Sequence, residues 1–192
     1  MKTLNELFYD VIILNELGGN KSAALRFSDP DGKPGRSGWS FGLCQFDTRH
    51  NGDAISCLVD CGFTQDEIHG VVDQTIDVKP LAARLIAHKD IIEQYDTKQL
   101  SSCLDSAMNA VTSHGVMVFE SAAILCLADY VNQYGSIGEG FSEWMNQRDS
   151  DGITAAEVQE FKLTKTKYGR EHKADCERRY NNIMAVVKGA DI

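Results

Sequence analysis

The run VFESAAILCLADYV, Val118 to Val131, restricts the possible folds more than any other stretch of the chain. At helical period it is apolar almost all the way round, and such a helix has no face to give to water. Other helices must enclose it, so the chain is expected to be α-dominated with this segment as its central buried helix. A length of 192 residues is enough chain to build that enclosure as one domain.

The rest of the sequence supplies the partners. Leu4, Leu7, Phe8, Val11 and Ile12 recur at helical spacing and predict a first amphipathic helix to about Glu16, stopped by Gly18 and Gly19. The stretch SDPDGKPGRSG, residues 28 to 38, then gathers most of the turn formers of the chain. Extended pieces on either side of it, AALRFSD and WSFGLCQFD, are expected to form a small hairpin. After Asn51 the pattern is helical. Thr64 with Glu67 reads as a capping box. Pro80 opens a helix whose apolar face is Leu81, Leu85, Ile86 and Ile91 or Ile92, and a further helix covers Leu100 to Val111. Thr154 with Glu157 caps another, and a last helix runs from about His172 to Val187. The expected class is mainly α, a single domain over 1–192 with one small β-hairpin or irregular element near the N-terminus.

Charge is distributed unevenly. Lys162 to Lys188 holds eight Lys or Arg against three acids, whereas the chain before it holds eleven bases against twenty-four acids. The acidic bulk argues against nucleic acid as a partner, and the basic end reads as a solvated helix face or a contact for an anionic polymer. Glu6, Asp10 and Glu16 break up the N-terminal apolar segment, so no signal peptide is expected, and no stretch approaches a membrane span. A monomer made in the cytoplasm, then released or delivered by another system, is the expectation. The six cysteines include no CxxC pair and read as small buried hydrophobes rather than disulfides or a zinc site.

The chemistry is concentrated near the start. Glu16 closes a helix and faces the Gly-rich segment SGWSFGLCQFD, Ser37 to Asp47. Burial raises a carboxyl pKa and lets the group hold a proton near neutrality, which is what protonating a glycosidic leaving oxygen requires. The bland alternative is a Glu that finishes a helix on its solvent side. Glycines let a backbone approach a ligand closely, and Trp39 and Phe41 offer flat faces to a sugar ring, with core packing as the alternative for at least one of them.

Glu16 followed by Ser40, Gly42 and Gln45 resembles the arrangement in lytic transglycosylases and goose-type lysozymes. GLCQ differs at one position from their GLMQ, and LADYVNQYG, Leu127 to Gly135, resembles their A-Y-N-x-G segment through Tyr130 and Asn132. The likeness covers three short islands in the first 135 residues. It implies a lysozyme-like fold and cleavage of the β-1,4 bond of bacterial cell-wall polysaccharide, with Glu16 as general acid. Ser40 and Gln45 would bind sugar or hold a water, and Tyr130 and Asn132 would line the opposite wall. Two departures stand out: those families usually place Ser directly after the acid, where this chain has Leu17, and the acid-bearing excursion from Gly18 to Gly38 is closer to phage-type lysozymes. That manner calls for a second carboxylate, with Asp31 ahead of Asp29 and Asp47. Asp47 is also a candidate cap for the following helix. A transglycosylase or a chitosanase on the same fold are the enzymatic alternatives.

A second motif is DSDGITAAE, Asp149 to Glu157. Asp149, Asp151 and Glu157 follow the order of an EF-hand calcium loop, but one residue is missing before Ile153, and Gln147 stands where the first ligand belongs. A turn leading into the helix capped by Thr154 and Glu157 accounts for the same residues. A helical calcium-responsive or partner-binding module is the non-enzymatic alternative. No cofactor is required by the enzymatic reading.

Overall fold

The computed structural model describes residues 2–29, 32–33, 35–148 and 152–190. It is mainly helical, with ten α-helices among the described residues and a small antiparallel sheet near the N-terminus. The fold class expected from the sequence is therefore the observed one. The contacts divide the chain into two compact units, one of Met1–Asn15 with Leu100–Ile192, the other of Glu16–Gln99.

The first unit is built round α6 (Ser121–Tyr134), in which every residue from Ala122 to Val131 is buried. Helices α8 (Ala155–Lys165) and α10 (Lys173–Ala190) pack on it, and α7 (Glu139–Asn146) and α9 (Lys167–Glu171) pack on α8. Gly135 ends α6 in the left-handed region, φ 77°, returning its N–H to the Val131 carbonyl at 2.7 Å. The helix begins three residues later than its apolar run. Met117–Val118 instead forms β3, paired in parallel with β4, Gly152–Ile153. The Thr154–Glu157 capping box starts α8 as the spacing predicts. The α1 residues Leu7, Phe8, Val11, Ile12 and Ile13 are buried.

The second unit holds η1, a 3-10 turn over Lys21–Leu25, a two-stranded hairpin, and helices α2 (Gly52–Asp60), α3 (Gln65–Val72) and α4 (Ala82–Ala87). It also holds the start of α5, Lys89–Thr112. The Thr64–Glu67 box caps α3, and the Arg84 guanidinium grips both oxygens of Glu67 at 2.6 and 3.1 Å. Arg84 and the Thr64 N–H together hold the Glu67 carboxyl down at about 2. One expectation is corrected here. The helices expected at about 80–92 and 100–111 are divided instead at His88, after which α5 runs unbroken through Gln99. Apolar spacing cannot register a one-residue break that keeps the same face inward.

All six cysteines are buried, and none forms a disulfide. No helix among the described residues is long and apolar enough to cross a membrane.

Candidate functional site

Glu16 lies half-buried in the last turn of α1, Leu4–Leu17. Gly18 and Gly19 follow at φ 57° and 87°, conformations that stop the helix at once. Asn20 then caps η1, its side chain accepting from the Ser22 N–H. The chain next pairs with the Gly-rich segment: Ser28 and Ser40 exchange backbone hydrogen bonds, both 2.8 Å. The Gly42 N–H reaches the Ala24 carbonyl at 2.8 Å. The hairpin thus lies wholly within SGWSFGLCQFD, and AALRFSD contributes part of a 3-10 turn and one bridge, at Ser28, rather than a strand.

β1 (Ser40–Phe41) pairs antiparallel with β2 (Phe46–Asp47), and GLCQ is the loop between them. Gly42 at φ 78° and Gln45 at φ 52° both occupy the left-handed region. A methyl group on Gly42 would come within 2.8 Å of the Phe46 ring and 3.0 Å of Asp96 Oδ1. Gly42→Ala therefore combines backbone strain with overpacking and should cost about 2 kcal/mol or more. A urea unfolding midpoint compared with wild type checks this.

Side-chain hydrogen bonds fasten the loop. Gln45 folds back, its Nε2 donating to the Gly42 carbonyl at 3.0 Å while its Oε1 accepts from the Ser28 hydroxyl at 2.5 Å. From α5, Asp96 accepts the N–H of Leu43 on Oδ2 at 2.9 Å and that of Cys44 on Oδ1 at 3.1 Å. Asp96 is 5% exposed. Burial, only partly offset by those two N–H groups, pushes its carboxyl up to about 6.

The sequence-predicted residues fare differently. Trp39 is half-buried, with its indole Nε1 buried and unpaired among the described residues, as is the hydroxyl of neighbouring Thr48. Phe41 has no exposed surface and packs edge-on against Phe27 and Phe46, at 5.7 and 5.9 Å. It belongs to the core, so its expected role as a sugar platform is corrected. Ser40 is 2% exposed, its backbone occupied by Ser28. Asp47 accepts the N–H groups of Gly38 and Arg49, and Asn51 is the residue that caps α2. Asp29 is exposed and accepts the Gly32 N–H at 2.9 Å. Asp31 lies outside the described residues.

Tyr130 and Asn132 belong to the unit of Met1–Asn15 and Leu100–Ile192. Tyr130 is 9% exposed, stacked on Tyr134 at 4.6 Å and edge-on to Phe161 at 6.0 Å. Burial raises its phenol above the usual value. Asn132 is half-buried on α6. One turn before it is a residue the sequence reading passed over. Asp129 has no exposed surface and is gripped by Arg179 at 2.6 and 2.9 Å, by Lys162 at 3.4 Å and by Asn15 at 2.9 Å.

In the would-be calcium loop, Asp149 and Asp151 lie outside the described residues. Glu157 is committed elsewhere: Oε2 accepts from the N–H and hydroxyl of Thr154, and Oε1 from Arg148 at 2.7 Å. The same guanidinium donates to the Gly152 carbonyl at 2.5 Å and stacks 4.7 Å from the Trp144 ring centroid. An internal cation thus takes the carboxylate that the motif would present to a metal. Millimolar calcium or EDTA should leave the melting temperature unchanged, whereas Arg148→Ala should lower stability by about 2–3 kcal/mol, the cost of orphaning a partly buried charge-assisted contact. Calorimetry with and without calcium tests both.

Compared with protein-family models, curated proteins and solved structures, the chain matches none.

Proposed function

We propose that the protein is a muramidase that cleaves the β-1,4 bond between N-acetylmuramic acid and N-acetylglucosamine in peptidoglycan. One observation carries the reading: a half-buried Glu16 ends its helix, and the same compact unit contains Ser40-x-Gly42-x-x-Gln45 as a tightly fastened hairpin. Those are the positions through which the sequence resembles lysozyme-like enzymes, and both left-handed residues of the loop fall among them.

Glu16 donates its proton to the glycosidic oxygen as the bond from that oxygen to the anomeric carbon breaks. Water adds to the carbon from the opposite face, and Asp31 accepts its proton. Inverting cleavage of this kind needs carboxyl groups about 6.5–9.5 Å apart to admit the water. Trp39 supplies the flat face for a sugar ring.

The chitosanase alternative draws on the acidic bulk of the chain, which suits a cationic polymer. Purified peptidoglycan and partly acetylated chitosan, digested side by side and assayed for soluble reducing sugar, separate the two. Release from peptidoglycan is expected. Release from chitosan alone would reassign the substrate, and release from neither would remove the glycosidase reading.

A further inference from the structure

Asp96, which no sequence motif marks, contacts the GLCQ loop at two successive backbone N–H groups. Ile92, Asp96 and Leu100 follow one another at four-residue spacing on α5 and are all buried, at 1%, 5% and 5% exposure. An acid on such a face must find hydrogen-bond donors inside the protein. It finds two successive backbone N–H groups, those of Leu43 and Cys44, one on each carboxylate oxygen. Consecutive N–H groups converging on one anion form a nest, a geometry that suits a carboxylate better than any neutral side chain. The close approach also explains Gly42, where a methyl group would stand 3.0 Å from Asp96 Oδ1.

We propose that Asp96 is a positioning residue for the active site: its ionised carboxylate holds the Gly42–Gln45 loop, and with it the adjoining hairpin that meets the polysaccharide, in the working conformation. The inference rests on the muramidase reading for its consequence in turnover. The clamp itself is a separate physical claim.

The clamp is responsive to pH. On protonation one oxygen becomes a hydroxyl, which cannot accept from a facing N–H as the anion does, so at least one of the two contacts is weakened. The charged and titratable neighbours pull in both directions, with burial outweighing the rest. Glu93, on the same helix, pushes the Asp96 carboxyl up, in the same direction as burial. Cys57 of α2 is a neutral neighbour, its thiol hydrogen-bonded to Cys61 and raised well above its usual range. In the loop, the Cys44 thiol works the other way, its hydrogen bond pulling the Asp96 carboxyl down, and it also lies 3.9 Å from the Asp96 backbone carbonyl. With the carboxyl at about 6 in the folded protein against 3.8 when exposed, the clamp opens as pH falls through about 6. Stability moves the other way. A group whose folded pKa is raised contributes stability that is full below 3.8 and lost as pH rises through about 6. Acidification should therefore loosen the loop without the Asp96 site lowering the melting temperature.

The test has two readouts. Protection factors for the Leu43 and Cys44 amides, measured by NMR hydrogen exchange from pH 7.5 to 5 on wild-type protein, should fall with a midpoint near 6 while the melting temperature does not fall. In parallel, Asp96→Asn, which puts an NH2 group against one of the two N–H donors, should lower kcat on peptidoglycan by about tenfold or more through misplacement. KM should change little, and the activity limb near pH 6 should disappear. Asp96→Glu should recover part of kcat and retain the limb. Protection that is flat with pH, or an Asp96→Asn variant that keeps both wild-type kcat and the limb, overturns the proposal. A wild-type protein inert toward peptidoglycan refutes the muramidase reading instead, and the exchange measurement then still decides the clamp.

Discussion

Glu16→Gln should yield a folded protein that no longer cuts peptidoglycan. The amide keeps the size and planarity of the carboxyl group and removes only the transferable proton. General acid catalysis contributes about 10²–10⁴-fold, and a glycosidic oxygen that leaves without a proton is a poor leaving group, so turnover should drop by at least that factor. The helix that carries Glu16 is anchored elsewhere, by the buried Leu7, Phe8, Val11, Ile12 and Ile13. A half-buried position in its last turn should tolerate the amide within about 0.5 kcal/mol. Thermal unfolding of the variant, run beside the turnover assay, separates a lost proton from a lost fold.

The largest effect on stability is expected at Asp129. Burial pushes its carboxyl upward, but Arg179 and Lys162 more than reverse this and hold it at about 2. The group is ionised, fully buried and in contact with two cations that are themselves 3% exposed. Asp129→Ala leaves the guanidinium and the ammonium buried without their anion. Breaking a buried pair from one side costs about 3–5 kcal/mol, a large share of the 5–15 kcal/mol that holds a typical domain together. Urea unfolding of Asp129→Ala should show that loss, and the variant should be largely insoluble on heating. The pH dependence follows the opposite sign from Asp96. A depressed folded pKa gives stability that is present above the unfolded value of 3.8 and lost as pH falls toward about 2. Wild-type acid unfolding should therefore draw on Asp129 only in that low window.

Both acids were within reach of the sequence in one sense and out of reach in another. Asp129 interrupts an otherwise apolar run, and Asp96 stands between Ile92 and Leu100 on one helical face. Those patterns announce a buried carboxylate that needs partners. They do not say which partners, because Arg179, Lys162, Leu43 and Cys44 lie 33 to 53 residues away along the chain. Local signals were more fully legible. The two capping boxes and the Gly18–Gly19 stop depend on neighbours a few residues apart, whereas the hairpin, expected across residues 28–38, closes instead within SGWSFGLCQFD.

The site shows the same division. Residue type and order pointed to Glu16, Ser40 and Gln45, but not to which hydrogen-bonding groups the fold already uses. Gln45 closes its own loop and accepts from Ser28. Phe41, chosen for its flat ring, fills the core between Phe27 and Phe46. Glu157, chosen as a metal ligand, is held by Arg148, a residue the EF-hand pattern does not consider.

Mass spectrometry of the fragments released from purified peptidoglycan tests the central claim most directly. Wild-type protein should release fragments ending in reducing N-acetylmuramic acid, and Glu16→Gln should release none. Fragments one water lighter, ending in 1,6-anhydro-N-acetylmuramic acid, would contradict hydrolysis and make the chain a transglycosylase. Reducing N-acetylglucosamine ends, or no fragments at all, would contradict the muramidase assignment itself.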